Sequence, residues 1–209
     1  MQSTGSSISS ASELTPKLIK KAFLGLSLAA ALAVPALCSA EVNTQSDPVL
    51  RERLKEAMMQ SDSFPDRFEA QVWLTDMAQR LGTQVKEPEE RVFILKQVHW
   101  EATRVDLPPE MVLAVIDIES AFDPYAVSVA GAQGLMQVMP FWLDEIGLPG
   151  DRLVDIQTNL RMGCTILKYY YDMEKGDWAQ ALARYNGSYG RRVYSEKVLH
   201  RLSTRWFQQ

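Results

Sequence analysis

The sequence predicts an all-α domain behind a secretory leader. Apolar residues recur at helical spacing through nearly all of the chain after residue 46. The connections between these stretches are short and marked by Gly, Pro and Asp. No alternating apolar–polar run is long enough for a strand, although a small hairpin fits between residues 121 and 135.

The first forty residues read as an export signal. Lys17, Lys20 and Lys21 precede the uncharged run AFLGLSLAAALAVPAL, and Cys38-Ser39-Ala40 supplies a small-residue cleavage site. The run is short for a membrane span, which takes about 20 residues. Cleavage after Ala40 and a periplasmic destination are expected. A retained membrane anchor and lipidation of Cys38 are the alternatives, and Leu37 before that cysteine fits lipidation poorly. This segment holds three of the 22 basic and one of the 26 acidic residues, so the remaining 169 carry a formal net charge of −6. That balance argues against a nucleic-acid binder. Only Cys164 remains, which excludes an internal disulfide, and it reads as a buried structural thiol.

The helices succeed one another along the chain. DPVLRERLKEAMMQ opens with Asp47 as N-cap and Pro48 at the first helical position. FPDRFEAQVWLTDMAQRLG places Phe68, Val72, Trp73, Leu74, Met77 and Leu81 near helical spacing and stops at Gly82. EPEERVFILKQVHWEATRV starts at Glu87-Pro88 and turns Val92, Phe93, Leu95, Val98 and Val105 inward. PPEMVLAVIDIES is an apolar helix ending at Glu119. A short helix around MPFWLDEIG, a long one from DIQTNLRMGCTILKYYYDMEKG, then DWAQALARYNG and RRVYSEKVLHRLSTRWF complete the set. The expected organisation is a leader (1–40), a helical extension packed on the catalytic unit (41–106), with membership of its core as an equal alternative, and a catalytic domain (107–209).

Glu119 carries the chemical interest. On a helix it shares a face with Val112, Val115 and Ile116, while Asp117 points away. A carboxyl group on an apolar face loses hydration, which favours its protonated form and fits it to donate a proton. Alone, such a residue is more simply a helix-end glutamate facing solvent. The small-residue segment beyond it changes that reading. Ser128 offers a hydroxyl, Gln137 an amide, and Gly131 and Gly134 let the backbone turn. RYNGSYG adds Tyr185 and Asn186. Polar groups and aromatic faces of this kind suit a sugar-binding cleft. Each has a plainer alternative, Gln137 as a cap and Tyr185 as core. His99 and His200 lie far apart without metal-ligand spacing, and no phosphate loop is present. His99 reads as a packed or surface histidine. The YYY run at Tyr169–Tyr171 spans a wide helical arc, with one ring inward and another in solvent.

The stretch ESAFDPYAVSVAGAQGLMQVMP resembles the signature of the soluble lytic transglycosylase (SLT) domain of family 1 lytic transglycosylases, which have a goose-type lysozyme-like fold. Glu119-Ser120, Pro124, Ser128, Gly131-Ala132, Gly134-Leu135-Met136-Gln137 and Pro140 stand in the family's order. Asn159 and Gly163 fit its next segment, and Tyr185-Asn186 the one after. The resemblance covers roughly Leu107 to Val198. It departs at Arg184 and Gly187-Ser188, where alanine and alanine-glycine are more usual.

The resemblance implies non-hydrolytic cleavage of the β-1,4 bond between N-acetylmuramic acid and N-acetylglucosamine in peptidoglycan, leaving 1,6-anhydromuramoyl ends. It implies Glu119 as the single acid/base. Ser128 would help orient the acetamido group. Gln137, Tyr185 and Asn186 would line the subsites, with Tyr185 bonded to Glu119. Met139 is read equally as an apolar wall and as core. Tyr125, Trp142 and Tyr189 are weaker candidates for sugar stacking, with packing the simpler role. No metal and no soluble cofactor is expected. The expected partner is the glycan strand, reached through the chain's own cleft or through cell-wall or secretion machinery. Two alternatives remain: a lysozyme-type muramidase using Asp117, Asp123 or Asp144 as second carboxylate, and a non-catalytic peptidoglycan-binding scaffold.

Overall fold

The computed structural model describes Glu52 and residues 63–207. The leader, its cleavage site and the helix expected from Asp47 lie outside the described residues. Among the described residues seven α-helices succeed one another. They are α1 (Arg67–Leu81), α2 (Pro88–Arg104), α3 (Pro109–Glu119), α4 (Phe141–Ile146), α5 (Ile156–Met173), α6 (Trp178–Tyr185) and α7 (Val193–Arg201). The all-α class therefore holds. Between residues 121 and 138 the expected hairpin is reduced to two isolated antiparallel bridges, Val127–Gln133 and Gln133–Val138. The last expected helix changes character: α7 ends at Arg201 and continues as a π-helical turn, Leu202–Trp206.

Local chemistry explains the boundaries. Asp66 caps α1 by accepting from the Glu69 N–H at 2.8 Å, and α2 and α3 both begin with proline at the first helical turn, where no donor is wasted. The α6 terminus is a Schellman turn. Ser188 N–H bonds Ala183 C=O at 2.8 Å and Gly187 N–H bonds Arg184 C=O at 2.9 Å, with Gly187 at φ +70°.

Helix α3 is the centre of the core. Met111 through Ile116 are all buried, as expected of a helix apolar on every side. One hydrophobic cluster joins residues of α1, α2, α3, α5, α6 and α7 around it. On α1, Trp73, Leu74, Met77 and Leu81 are buried, but Phe68 is 76% exposed and Val72 is also exposed. The buried stripe runs instead through Ala70 and Ala78, where small side chains allow close approach. On α2, Phe93 likewise faces outward, off the stripe made by Val92, Leu95, Val98 and Ala102. His99 is packed: its ring stacks on Phe64 at 3.5 Å between centroids, and burial lowers its pKa to about 4. The Tyr169–Tyr171 run divides as expected, with Tyr169 exposed and the next two packed on the core.

The one charged residue of α3 that is buried is Asp117, 6% exposed. Its carboxylate accepts from Arg201 at 3.1 and 3.2 Å, Trp206 Nε1 at 2.9 Å and Gln84 Nε2 at 2.8 Å, with Arg205 3.5 Å away. A buried carboxylate is tolerable only when so paired. The network ties the C-terminal turn to the back of α3, where Trp206 is fully buried and its ring lies 5.5 Å from Phe122. Asp117→Ala would strand two arginines against that pocket, and a loss of about 3–5 kcal/mol in unfolding free energy is expected. Asp117→Asn keeps an acceptor for Trp206 and should cost less. Urea denaturation of both variants measures the difference.

Candidate active site

Glu119 stands at the last residue of α3. The chain then turns sharply through Ala121 (φ +50°) and Phe122 (φ +69°), both left-handed without being glycine. Such backbone costs of order 1–3 kcal/mol per residue. Here it is offset by burial of Phe122 beside Trp206. Ser120 fastens the turn from the other side, its hydroxyl donating to Leu135 C=O at 2.8 Å. The serine of the Glu-Ser pair thus ties the acid to the GLMQ segment.

That segment is held from below by α5. Asn159 is buried, and its side chain accepts from Met136 N–H at 2.8 Å while donating to Gln133 C=O at 2.8 Å and Leu153 C=O at 2.7 Å. Gly134 (φ +76°) lies so close that a Cβ there would collide with Asn159 and Leu153. A Cβ on Gly163 would strike the Met136 side chain. Gly134 is needed for its left-handed backbone as well as for close approach, and Gly163 for close approach alone. Cys164 lies beneath, its Sγ 4.0 Å from Met136 Sδ, and burial pushes its thiol pKa up. It is the inert, buried cysteine expected.

The expected site residues divide into those that shape the loop and those that face outward. Gln137 (φ +49°) spends both amide hydrogens on the loop, donating to Ala126 C=O at 3.1 Å and Gly134 C=O at 3.0 Å. Ser128 is exposed, and its hydroxyl accepts from Ala132 N–H at 3.0 Å. Met139 is half-buried at the end of this loop. Asn186 is exposed at the α6 C-cap. Tyr185 does not bond Glu119, contrary to expectation. Its hydroxyl donates to Met136 C=O at 2.7 Å, locking α6 to the loop.

The hydroxyl on Glu119 belongs to Tyr194, at 2.6 Å from Oε1. This is the one hydrogen bond to that carboxyl among the described residues. Sequence reasoning missed Tyr194. The available signal was its place one residue inside α7, on the same face as Val198. Burial raises the Glu119 pKa to about 7, and the Tyr194 bond restrains the rise. A carboxyl group so placed exchanges its proton near neutral pH.

Two of the three candidate second carboxylates are otherwise engaged. Asp117 is sealed in its ion pairs. Asp123 forms the expected turn, its Oδ1 accepting from Tyr125 N–H at 2.9 Å. Asp144 is exposed on α4. Trp142 packs partly on the core and lines a separate groove of about 440 Å³ with Phe141, Ile146, Ile166 and Tyr169. Tyr125 and Tyr189 are exposed. Among the described residues, no helix is long and apolar enough to cross a membrane.

Residues 98–198 match the Transglycosylase SLT domain family. Membrane-bound lytic murein transglycosylase D of Escherichia coli (strain K12) is 35% identical over 101 residues, 45% of this chain and 22% of that protein. Soluble lytic murein transglycosylase of the same strain is 33% identical over 95 residues, 41% of this chain and 15% of the relative. Membrane-bound lytic murein transglycosylase C of Actinobacillus pleuropneumoniae is 54% identical over 39 residues, 19% of this chain and 11% of its relative. The chain thus spans about a fifth or less of the length of these relatives. Among solved structures, an inactive mutant of the lytic transglycosylase Slt from Pseudomonas aeruginosa aligns at a TM-score of 0.48 and 21% identity, over 75% of this chain and 36% of that one. Glu119, its tyrosine partner and the Asn159-pinned loop all fall within residues 98–198, the segment that matches the Transglycosylase SLT domain family.

Proposed function

We propose that this protein is a peptidoglycan lytic transglycosylase of the bacterial periplasm, with Glu119 as its single acid/base. The observation that carries this reading is a proton-holding carboxyl at the mouth of an apolar helix; of the three candidate second carboxylates, Asp117 and Asp123 are engaged by other groups and Asp144 is exposed on α4. In the first step the Glu119 carboxylic acid gives its proton to the glycosidic oxygen as the C1–O bond of N-acetylmuramic acid breaks. The acetamido carbonyl of that sugar attacks C1 and holds the positive charge. In the second step the Glu119 carboxylate takes the proton of the C6 hydroxyl, O6 closes on C1 to form the 1,6-anhydro ring, and the bond from C1 to the acetamido oxygen breaks, restoring the N-acetyl group. The acid is regenerated and no water is consumed. Ordinary glycosidases need two carboxylates at a set separation, whereas this route needs one.

The other groups take supporting roles. Tyr194 orients Glu119 and donates to its ionised form. Gln137 and Tyr185 shape the loop that walls the cleft. Asn186, Ser128 and Met139 offer two polar groups and one apolar contact toward the sugars. A muramidase would place a water on a second carboxylate; the engaged state of Asp117 and Asp123 favours the non-hydrolytic route and leaves Asp144, exposed on α4, as the candidate a muramidase would need.

Mass spectrometry of soluble products from purified sacculi tests the assignment. Anhydro-muramoyl ends, about 18 mass units below their hydrated counterparts, are expected, and Glu119→Gln should abolish turnover while retaining binding. Hydrated reducing ends would instead identify a muramidase. Binding without any turnover by the wild-type protein would favour a scaffold.

The pH behaviour follows from the raised pKa. Activity should fall as pH rises past about 7, where Glu119 loses the proton it must donate. Tyr194→Phe removes the restraining bond, so the alkaline limb should move upward in pH while the maximal rate falls roughly tenfold or more. A pH–rate profile reads both changes. The same shift affects stability. The folded state holds the Glu119 proton more tightly than the unfolded chain, so this contribution is full below about 4.5 and declines as pH climbs to about 7. Relative to wild type, Glu119→Gln should therefore gain stability over that interval in urea titrations.

A further inference from the structure

The loop between α6 and α7, residues 186–192, carries the chain's departure from the family pattern and has an arrangement of its own. Arg184 reaches from the last turn of α6 to Glu174, the C-cap of α5, and its Nε bonds Glu174 Oε1. The Glu174 side chain is 15% exposed, so this anchor is largely withdrawn from solvent. The same guanidinium lies over the Tyr189 ring at 3.9 Å from its centroid. Stacking on an anchored guanidinium holds an aromatic ring in place. Tyr189 nonetheless stays 56% exposed. Gly187 (φ +70°) and Gly190 (φ +82°) flank it at turns where a Cβ would meet nothing.

Both ends of this loop are pinned at the site. Tyr185, just before it, bonds the Met136 carbonyl, and Tyr194, just after it, bonds Glu119. Tyr189 is four residues from the first anchor, so its Cα lies within roughly 14 Å of it. An oligosaccharide crossing Glu119 extends past that distance in a few sugar units.

We propose that Tyr189, braced by Arg184 and Glu174, is an aromatic stacking platform for an N-acetylhexosamine ring of the glycan strand on the rim of the cleft. The proposal rests on the lytic transglycosylase reading for the identity of the glycan. An immobilised ring presents its free surface to the apolar face of a sugar without the ordering cost of a mobile one. Arg184 acts here as a positioning residue, because it works through Tyr189.

The test uses the full chain with Glu119→Gln, which should hold glycan without cutting it. Binding is measured by co-sedimentation with purified sacculi and by titration with soluble glycan strands stripped of peptide. Adding Tyr189→Ala should weaken binding to both by about tenfold, whereas Tyr189→Phe should stay within about twofold of the parent. Arg184→Ala, which keeps the ring but frees it, should give an intermediate loss that Arg184→Lys does not rescue. Parental affinity for Tyr189→Ala overturns the proposal. So does a loss confined to intact sacculi, which would mean a peptide-binding residue. These results are separable from the reaction assignment. Anhydro products with an unaffected Tyr189→Ala would remove the platform alone. Hydrated products with a tenfold loss would remove the transglycosylase chemistry and leave the platform.

Discussion

The structure around Glu119 depends on one buried amide. Asn159 replaces a missing sheet: it supplies the donors and acceptor that residues 133–136 would otherwise obtain from a neighbouring strand. Buried backbone groups must be paired, and a loop with only two isolated bridges cannot pair its own. With Asn159 in place, Gly134 and Gly163 let loop and helix approach until Met136 fills the gap between them. The loop is then rigid enough for Ser120 and Tyr185 to fasten α3 and α6 to it. Without that packing the acid would meet water, and burial would no longer raise its pKa.

Helix α3 carries two carboxylates two residues apart, and they meet opposite fates. A separation of two residues turns them to opposite sides of the helix. Asp117 faces Arg201, Arg205, Trp206 and Gln84 and serves as a fully compensated charge. Glu119 faces a tyrosine hydroxyl and apolar surroundings, with no cation bonded to it among the described residues. The apolar character of α3 makes both outcomes necessary. A charge in that environment either finds partners or shifts its protonation.

Much of this was legible in the sequence because periodicity encodes burial. The α3 run, the orientation of Asp117 away from Glu119, the buried Cys164 and the Asp123 turn come from spacing and turn chemistry alone. What was hidden depends on long-range packing. The left-handed Ala121 and Phe122 carry no glycine to mark them. Phe68 and Phe93 look like core but are displaced by alanine-lined stripes that pack more closely. The exchange of Tyr185 for Tyr194 as the partner of Glu119 is of the same kind. Tyr194 is 75 residues from the acid, and only the crossing of α7 over the end of α3 brings its hydroxyl within reach. Motif order favoured Tyr185, and tertiary geometry reversed it.

The proposed reaction asks one group to give a proton and take one back within a turnover. A pKa far above ambient pH would make the acid hold its proton in the second step, and one far below would leave it without a proton in the first. Burial alone drives Glu119 upward without a natural stopping point. The Tyr194 hydroxyl supplies the opposing influence, because a donor at 2.6 Å favours the ionised form. The resulting value of about 7 is a balance between two features that come from different parts of the chain, the apolar α3 and the first turn of α7. One carboxyl can then serve where ordinary glycosidases employ two. The requirement has moved from a second acid to a fixed distance between two helices, and Asn159, Asp117 and the C-terminal turn are what hold that distance.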